Sequence, residues 1–239
     1  MSGRWRAQLA DAARGRGAAE GGTTTGRRPM KWLTAGLVVL VVAIVGLERV
    51  AETSFTWHMV QHALLIVVAA PLLTLGAPAV IDRLPDRWQR VAASMRGSAW
   101  PVLMVAAVGL QAAAMLWHMP SVFQAAAVND PLHGLEHITL LGSAVLFWWL
   151  VLAAGPNRMA MAVAALFFAT GACSALGAGL TLASHTWYPA YRSLSDQAMG
   201  GVIMWSVVGT VYFVAAVAVF FSWLTGLERT SPGELVTSG

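Results

Sequence analysis

The chain has 239 residues, of which 57% are hydrophobic and 11% are charged, and its mean hydropathy is +0.65. Ordinary soluble domains carry roughly 25% charged residues, so this composition excludes that class and indicates an integral membrane protein. The single cysteine, Cys173, excludes an internal disulfide and every CxxC metal or redox motif. The net charge of +4 does not point to nucleic acid, because the basic residues lie in tails and loops, where membrane topology accounts for them.

The first segment in chain order, residues 1–30, is rich in Arg, Gly, Ala and Thr and lacks an apolar face, so we expect a disordered basic tail. Six apolar segments follow, and each predicts a helix, because a backbone in lipid must satisfy its own hydrogen bonds. The predicted fold class is all-α: a polytopic membrane bundle over residues 31–226, followed by a short tail at 227–239. The predicted spans are 32–47, 57–81, 100–117, 132–154, 159–183 and 199–224.

The basic residues predict the orientation of these spans, because cytoplasmic loops carry an excess of Lys and Arg. With both termini in the cytoplasm, thirteen of the fifteen basic residues fall on the cytoplasmic side, and only Arg49 and Arg192 fall outside. The short loops alone still favour this orientation by six to two. We therefore expect cytoplasmic termini and a cytoplasmic location for both tails.

All six histidines fall at the outer ends of the predicted spans. His58 and His62 open the second span, His118 closes the third, His133 and His137 open the fourth, and His185 follows the fifth. An ionisable side chain at the edge of hydrocarbon is costly unless it is paired, solvated or bound to something. The placement predicts one polar cluster in the outer leaflet, facing the periplasm or the cell exterior.

The i, i+4 spacing of two histidine pairs gives this cluster a chemical meaning. His58 and His62 share one helical face, as do His133 and His137, and Glu136 flanks the second pair. Imidazole is a good ligand for copper, zinc, iron and nickel. The sequence therefore predicts a metal site built between two helices.

Sulfur and carboxylate groups near the same leaflet extend the candidate set. Thioethers suit Cu(I), and Met59 and Met119 adjoin predicted ligand histidines, so copper is the metal that the ligand types favour. Zinc and haem iron stay open as alternatives. Asp196, at the mouth of the sixth span, is expected to be a further ligand or to orient a ligating imidazole. Cys173 lies among small residues, which indicates close helix packing.

Other functions fit parts of the pattern. Histidines facing one another across a bundle could hold a porphyrin, as in a haem-binding electron carrier. The sequence from His133 to His137 matches the H-x-x-E-H pattern of one zinc protease class, so an intramembrane zinc hydrolase with Glu136 as base is a second alternative. A copper transporter is less consistent with the sequence, because no histidine lies at the inner ends of the predicted spans.

Four motifs carry a family resemblance over residues 50–225. They are WHMVQHALLIVVAAPLLTLGAP at 57–78, LWHMPSVF at 116–123, NDPLHGLEH at 129–137 followed by LFWW at 146–149, and YPAYRSLSDQAMGGVIMW at 188–205. In this order they resemble the multi-spanning CtaG family of cytochrome c oxidase assembly proteins. Two departures stand out: six predicted spans where family members often have seven, and His185 in a stretch that no motif supports.

The resemblance implies a non-enzymatic role in the bacterial cell membrane, in the maturation of haem-copper oxidases. It implies that copper is bound at the outer face and inserted into the active site of oxidase subunit I, with subunit I or other assembly factors as partners. Self-association is left open. Carried over residue by residue, the family's motif histidines fall on His58, His62, His118, His133 and His137, and its acidic motif residue falls on Asp196.

Overall fold

The structure, a computed structural model, describes residues 27–96 and 100–230. These residues are predominantly helical, and no strand occurs among them. Residues 1–26 of the predicted disordered tail and residues 231–239 of the predicted C-terminal tail lie outside the described part of the chain. Residues 27–30, which the sequence assigned to the tail, begin the first helix instead.

The described residues form both short and long helices. The α-helices are Arg27–Val41, Glu48–Ala51, Phe55–Ala63, Ala70–Gly76, Pro78–Ile81, Asp86–Arg96, Trp100–Trp117, Pro120–Ala127, Asp130–Leu152, Met159–Thr181, Leu194–Val202 and Gly209–Thr230. Wider π-helical turns at Val42–Gly46, Leu64–Ala69 and Ile203–Val208 continue the helices that precede them. A 3-10 turn at Pro156–Arg158 leads into the helix that follows it.

Five of these helical stretches are long and apolar enough to cross a membrane, and a bent pair supplies a sixth span. In chain order the spans are Pro29–Gly46, Phe55–Ile81, the pair Pro101–Trp117 with Pro120–Ala127, Asp130–Leu152, Pro156–Thr181 and Leu194–Gly226. The prediction of an all-α protein with about six spans is confirmed.

The third span bends by 71° between its two helices. Pro120 begins the second helix, and Met119 before it adopts an extended backbone with ψ of 129°. This geometry follows from the proline ring, which disfavours helical backbone in the preceding residue. The bend leaves His118 at the corner, with its side chain buried in the bundle.

Three spans begin earlier than the hydropathy pattern predicted, because polar residues cap them. Ser54 precedes the second span, and Asn129 precedes the fourth, where its side-chain oxygen accepts a hydrogen bond from Leu132 N at 2.9 Å. Ser193 precedes the sixth span and accepts from Asp196 N at 3.2 Å. Such side chains satisfy the free N–H groups of a first helical turn. Consequently the first turns of these spans are polar and are missed by a search for apolar runs.

The fifth and sixth spans approach each other through two glycines. A Cβ atom on Gly177 would lie 2.7 Å from the carbonyl oxygen of Gly201, and one on Gly201 would lie 2.6 Å from that of Gly177. Gly177 belongs to the small-residue stretch around Cys173 that indicated close packing. The contact brings the sixth span, and with it Asp196, into a fixed position relative to the bundle.

Candidate metal centre

The helix that carries His58 and His62 is held at its first turn by Asp196 of the sixth span. The carboxylate of Asp196 accepts hydrogen bonds from Ser54 Oγ at 2.9 Å, from Phe55 N at 2.6 Å and from Thr56 N at 3.2 Å. A carboxylate at a helix N-terminus stabilises the helix through its free N–H groups and its dipole. Asp196 therefore positions the backbone that carries the histidines and contacts none of their rings.

Glu136 of the fourth span reaches both histidines of the second span. Its Oε1 atom lies 3.8 Å from Nε2 of His58 and 3.5 Å from Nε2 of His62. One ligand atom from each of the three residues falls within a common limit of 4.8 Å, and all three side chains are buried. A tetrahedral site with metal–ligand bonds of about 2.0 Å places its ligand atoms about 3.3 Å apart. The spacing is slightly wider than that of a closed metal site and too wide for good hydrogen bonds.

The other predicted ligand histidines surround this group. The ring centroids of His133 and His137 are 4.4 Å apart, that of His137 is 5.4 Å from His62, and that of His118 is 5.9 Å from His62. The fold thus brings five predicted ligands and Glu136 together at the end of the bundle where the second and fourth spans begin. We call these six residues the histidine cluster: His58, His62, His118, His133, His137 and Glu136.

Many buried polar atoms of the histidine cluster have no hydrogen-bond partner among the described residues. They are Nε2 of His58, both ring nitrogens of His62, Nε2 of His133, both carboxylate oxygens of Glu136 and Nε2 of His137. Each such atom costs about 1–3 kcal/mol of folding stability when it is left unsatisfied. This number of unsatisfied atoms in one place is a large destabilisation for a marginally stable protein. A cation bound between them would satisfy several at once, and the donor set therefore fits a metal ion.

Two tyrosines of the segment before the sixth span support the cluster. Tyr191 donates a hydrogen bond to the carbonyl oxygen of Ala51 at 2.7 Å, and its hydroxyl oxygen lies 3.4 Å from Nδ1 of His58. Tyr188 donates to the carbonyl oxygen of His118 at 2.8 Å. Burial raises the pKa of both hydroxyls, which keeps them protonated as donors. The hydroxyl oxygen of Tyr191 is then free to accept from His58 Nδ1, which leaves Nε2 of that ring for a ligand.

Glu48 and Gln61 were not among the residues predicted from the sequence. Glu48 directly follows the predicted first span, and its Oε1 lies 3.2 Å from Nδ1 of His133. Its Oε2 accepts a hydrogen bond from Gln61 Nε2 at 2.8 Å. Gln61 follows His58 by three residues and so shares its helical face, which was the available signal. Glu48 holds His133 toward the first span and orients that ring.

Three of the residues named from the sequence lie elsewhere. His185 is exposed in the loop before the sixth span, with Nδ1 3.5 Å from the hydroxyl of its neighbour Ser184. Met119 is 51% exposed at the bend of the third span. Cys173 is buried in the fifth span, where its thiol donates to the carbonyl oxygen of Met204 at 3.3 Å. Met59, in contrast, is fully buried beside His118.

An open cavity of about 630 Å³ leads to the histidine cluster. Its walls include His58, His133 and His137 together with the acidic residues Glu48, Glu52 and Asp130. Water and small ions fit a space of this size. They can therefore reach the cluster from one side of the protein, through a passage with acidic walls, which we call the acidic passage. A buried set of ligands with such an entrance is suited to exchange of a cation.

Comparison with known families agrees with this architecture. The family model described as cytochrome c oxidase caa3 assembly factor (Caa3_CtaG) matches residues 9–226, which is the bulk of the chain. The chain belongs to this family. The resemblance found in the motifs is thereby confirmed, and the match extends further toward the N-terminus than residue 50. Among curated proteins and among solved structures, no match to this chain is found.

Membership of the caa3 assembly factor family makes this chain a cytochrome c oxidase assembly factor with several apolar helices suited to a membrane. The family's role is in assembly, which is consistent with a non-enzymatic function. It also implies contact with oxidase components.

Proposed function

We propose that this assembly factor binds copper at the histidine cluster and supports its insertion into the haem-copper active site of oxidase subunit I. The observation that carries the proposal is the convergence of His58, His62 and Glu136, whose buried ligand atoms lie within 4.8 Å of one another. Imidazole nitrogen with carboxylate oxygen is a donor set for a divalent first-row metal, among which copper binds most tightly. The copper is cargo, to be held and then released.

The shape of the site supports release as well as binding. The ligand atoms lie slightly farther apart than in a closed tetrahedral site, and the cavity beside His58, His133 and His137 is open. A metal that is bound by imidazole and carboxylate near an open passage exchanges more readily than one in a closed thiolate cage. This is the behaviour that a copper donor requires.

We infer the membrane and the sidedness from the sequence together with the family. The basic loops favour cytoplasmic termini, and the histidine cluster then faces the periplasm or the cell exterior of a bacterial plasma membrane. The partner that receives copper is subunit I, either directly or through another assembly factor. A second copy of the chain remains a further candidate partner.

Metal analysis of the detergent-purified protein tests the binding step. After loading with Cu²⁺, we expect about one copper per chain or per dimer and no Soret band. His62→Ala and Glu136→Gln should each remove most of the bound Cu²⁺, whereas His185→Ala serves as the matched control and should resemble the unaltered protein. Stoichiometric haem would instead support an electron carrier, and zinc together with peptide turnover would support a hydrolase.

A cellular experiment tests the assembly step. Cells that lack this protein should still produce oxidase subunits but show low oxidase activity, and added copper should restore part of that activity. His62→Ala, expressed at a matched level, should behave like the deletion, and His185→Ala should restore activity. Normal oxidase activity in the deletion strain at limiting copper would refute a role in copper insertion.

A further inference from the structure

The rings of His58 and His133 contact side chains of other segments, whereas the ring of His118 is oriented by a backbone carbonyl of its own helix. Its Nδ1 atom lies 2.7 Å from the carbonyl oxygen of Ala114, one turn earlier in the third span. A carbonyl oxygen only accepts, so Nδ1 carries the proton and donates it. In the neutral imidazole, the lone pair then resides on Nε2. This is the arrangement found in metal-binding histidines, where the second ring nitrogen donates to a backbone carbonyl.

The lone pair of His118 points at a sulfur atom. Nε2 lies 3.3 Å from Sδ of Met59, and both side chains are buried, with 4% and 1% of their surface exposed. A thioether sulfur has no proton to donate, so two electron-pair donors face each other with no hydrogen between them. With bond lengths of about 2.0 Å to nitrogen and about 2.3 Å to sulfur, this separation corresponds to an angle of about 100° at a shared metal ion. The pair is therefore spaced like two ligands of one ion.

A small cavity lies beside this pair and shares no wall residue with the acidic passage. Its volume is about 30 Å³, close to the space of a single water molecule, so one ion fits. Met59, His62 and His118 line it, and so do the two further sulfur-bearing residues Cys173 and Met204. No Asp or Glu belongs to its walls. Nitrogen and thioether donors without a carboxylate are the set that selects Cu(I) over divalent ions.

We propose that His118 Nε2 and Met59 Sδ form a Cu(I) site that is distinct from the divalent-ion site of His58, His62 and Glu136. The proposal rests on the proposed copper-binding function and assigns Cu(I) and divalent ions to different sites. His62 lies between the two sites, because its ring contributes to the wall of the small cavity and also faces Glu136 at 3.5 Å. The chain then presents harder donors toward the acidic passage and softer donors toward the interior of the bundle.

The test compares the two ions in a pair of variants. Met59→Leu keeps an apolar side chain of similar volume but removes the sulfur, and Met119→Leu, at an exposed position, is the matched control. Anaerobic competition with a chromophoric Cu(I) chelator should show Cu(I) affinity reduced about tenfold or more in Met59→Leu, with Zn(II) affinity unchanged. Glu136→Gln should show the opposite pattern, losing Zn(II) while Cu(I) affinity changes by about twofold at most.

A second measurement leaves Met59 unsubstituted, which matters because Met59 packs closely against Gly200 of the sixth span. X-ray absorption at the copper edge of Cu(I)-loaded protein should show one sulfur scatterer. Selenomethionine labelling should replace it by selenium, and Met119→Leu should leave the signal intact.

The outcomes separate this inference from the proposed function. Copper bound with nitrogen and oxygen scatterers alone, or equal Cu(I) affinity in Met59→Leu and Met119→Leu, would overturn the separate Cu(I) site while leaving copper binding in place. Absence of bound copper in either oxidation state would overturn both. A sulfur scatterer that disappears with Met59, accompanied by retained Zn(II) binding, supports the inference.

Discussion

The backbone N–H of Phe55 donates a 2.6 Å hydrogen bond to Asp196, so the second span is capped by a carboxylate from the sixth span. Residues 141 positions apart in the chain are joined here, three residues before the first cluster histidine. Asp196 therefore links packing of the sixth span to the position of the metal ligands. Its role is to hold the helix that presents them.

Asp196→Ala should destabilise the protein and also weaken metal binding. Loss of an N-cap costs about 0.5–2 kcal/mol of unfolding free energy, and fraying of the first turn moves His58 away from Glu136. Thermal unfolding in detergent and metal competition measure the two effects. Asp82→Ala removes an exposed carboxylate elsewhere and is the control. Unchanged metal affinity in Asp196→Ala would contradict the link between the cap and the site.

Tyr191→Phe should lower metal affinity more than Tyr188→Phe. Each variant loses one buried hydroxyl and one hydrogen bond to a backbone carbonyl, so similar stability losses of about 1 kcal/mol are expected. Only Tyr191 also lies within 3.4 Å of a cluster ring nitrogen, that of His58. Loss of a group that orients a ligand typically reduces metal affinity by about 10–100-fold. Equal affinities in the two variants, measured by chelator competition, would show that the His58 contact is unimportant.

Hydropathy and spacing were sufficient to predict the helical class, the approximate spans and a histidine cluster at one end of the bundle. That prediction included His185, which lies in an exposed loop, and the set of five histidines came from the family resemblance. These features follow from local rules: apolar length gives a span, and i, i+4 spacing places His58 with His62 on one face. Glu136 was named as an accessory residue because it adjoins His137. Its position between two histidines of another span depends on helix packing, which one sequence does not specify.

Other parts of the site depend on contacts between distant segments, and no local pattern identifies them. Glu48 ends one span and pairs with His133 of another, and Tyr191 lies in a loop that folds back onto His58. The short helix Pro120–Ala127 was not predicted, because the third span was expected to end at residue 117, whereas Pro120 starts a new helix after a bend. A residue such as Pro120 indicates where a helix begins, but it does not indicate the direction in which that helix runs.

Gly177→Val should destabilise the bundle, and Gly171→Val in the same span should not. A Cβ at position 177 would lie 2.7 Å from the Gly201 carbonyl oxygen, whereas one at position 171 meets nothing within 4 Å. Overpacking of this kind costs about 1–3 kcal/mol. Thermal unfolding and size-exclusion profiles in detergent measure the difference. Similar melting temperatures for the two variants would contradict the close approach of the fifth and sixth spans.

The acidic passage predicts an effect on the rate of metal uptake. Glu52 and Asp130 are exposed on the walls of the cavity that reaches His58, His133 and His137, and neither contributes to the convergent ligand group. Like charges along a cleft raise the local concentration of cations and accelerate their association. Because the charges act before binding, their removal should change association more than dissociation.

Glu52→Gln combined with Asp130→Asn should slow association of Cu²⁺ or Zn²⁺ about threefold or more at low ionic strength, with little change in the dissociation rate. Rising salt should narrow the gap, because screening weakens the attraction of the unaltered protein for cations. The control, Asp82→Asn with Asp86→Asn, makes the same change in net charge at exposed positions away from the cavity. Stopped-flow mixing in detergent provides both rates. Equal slowing in both double variants would assign the effect to net charge and refute the passage, and a faster dissociation rate in the first would place Glu52 or Asp130 among the ligands.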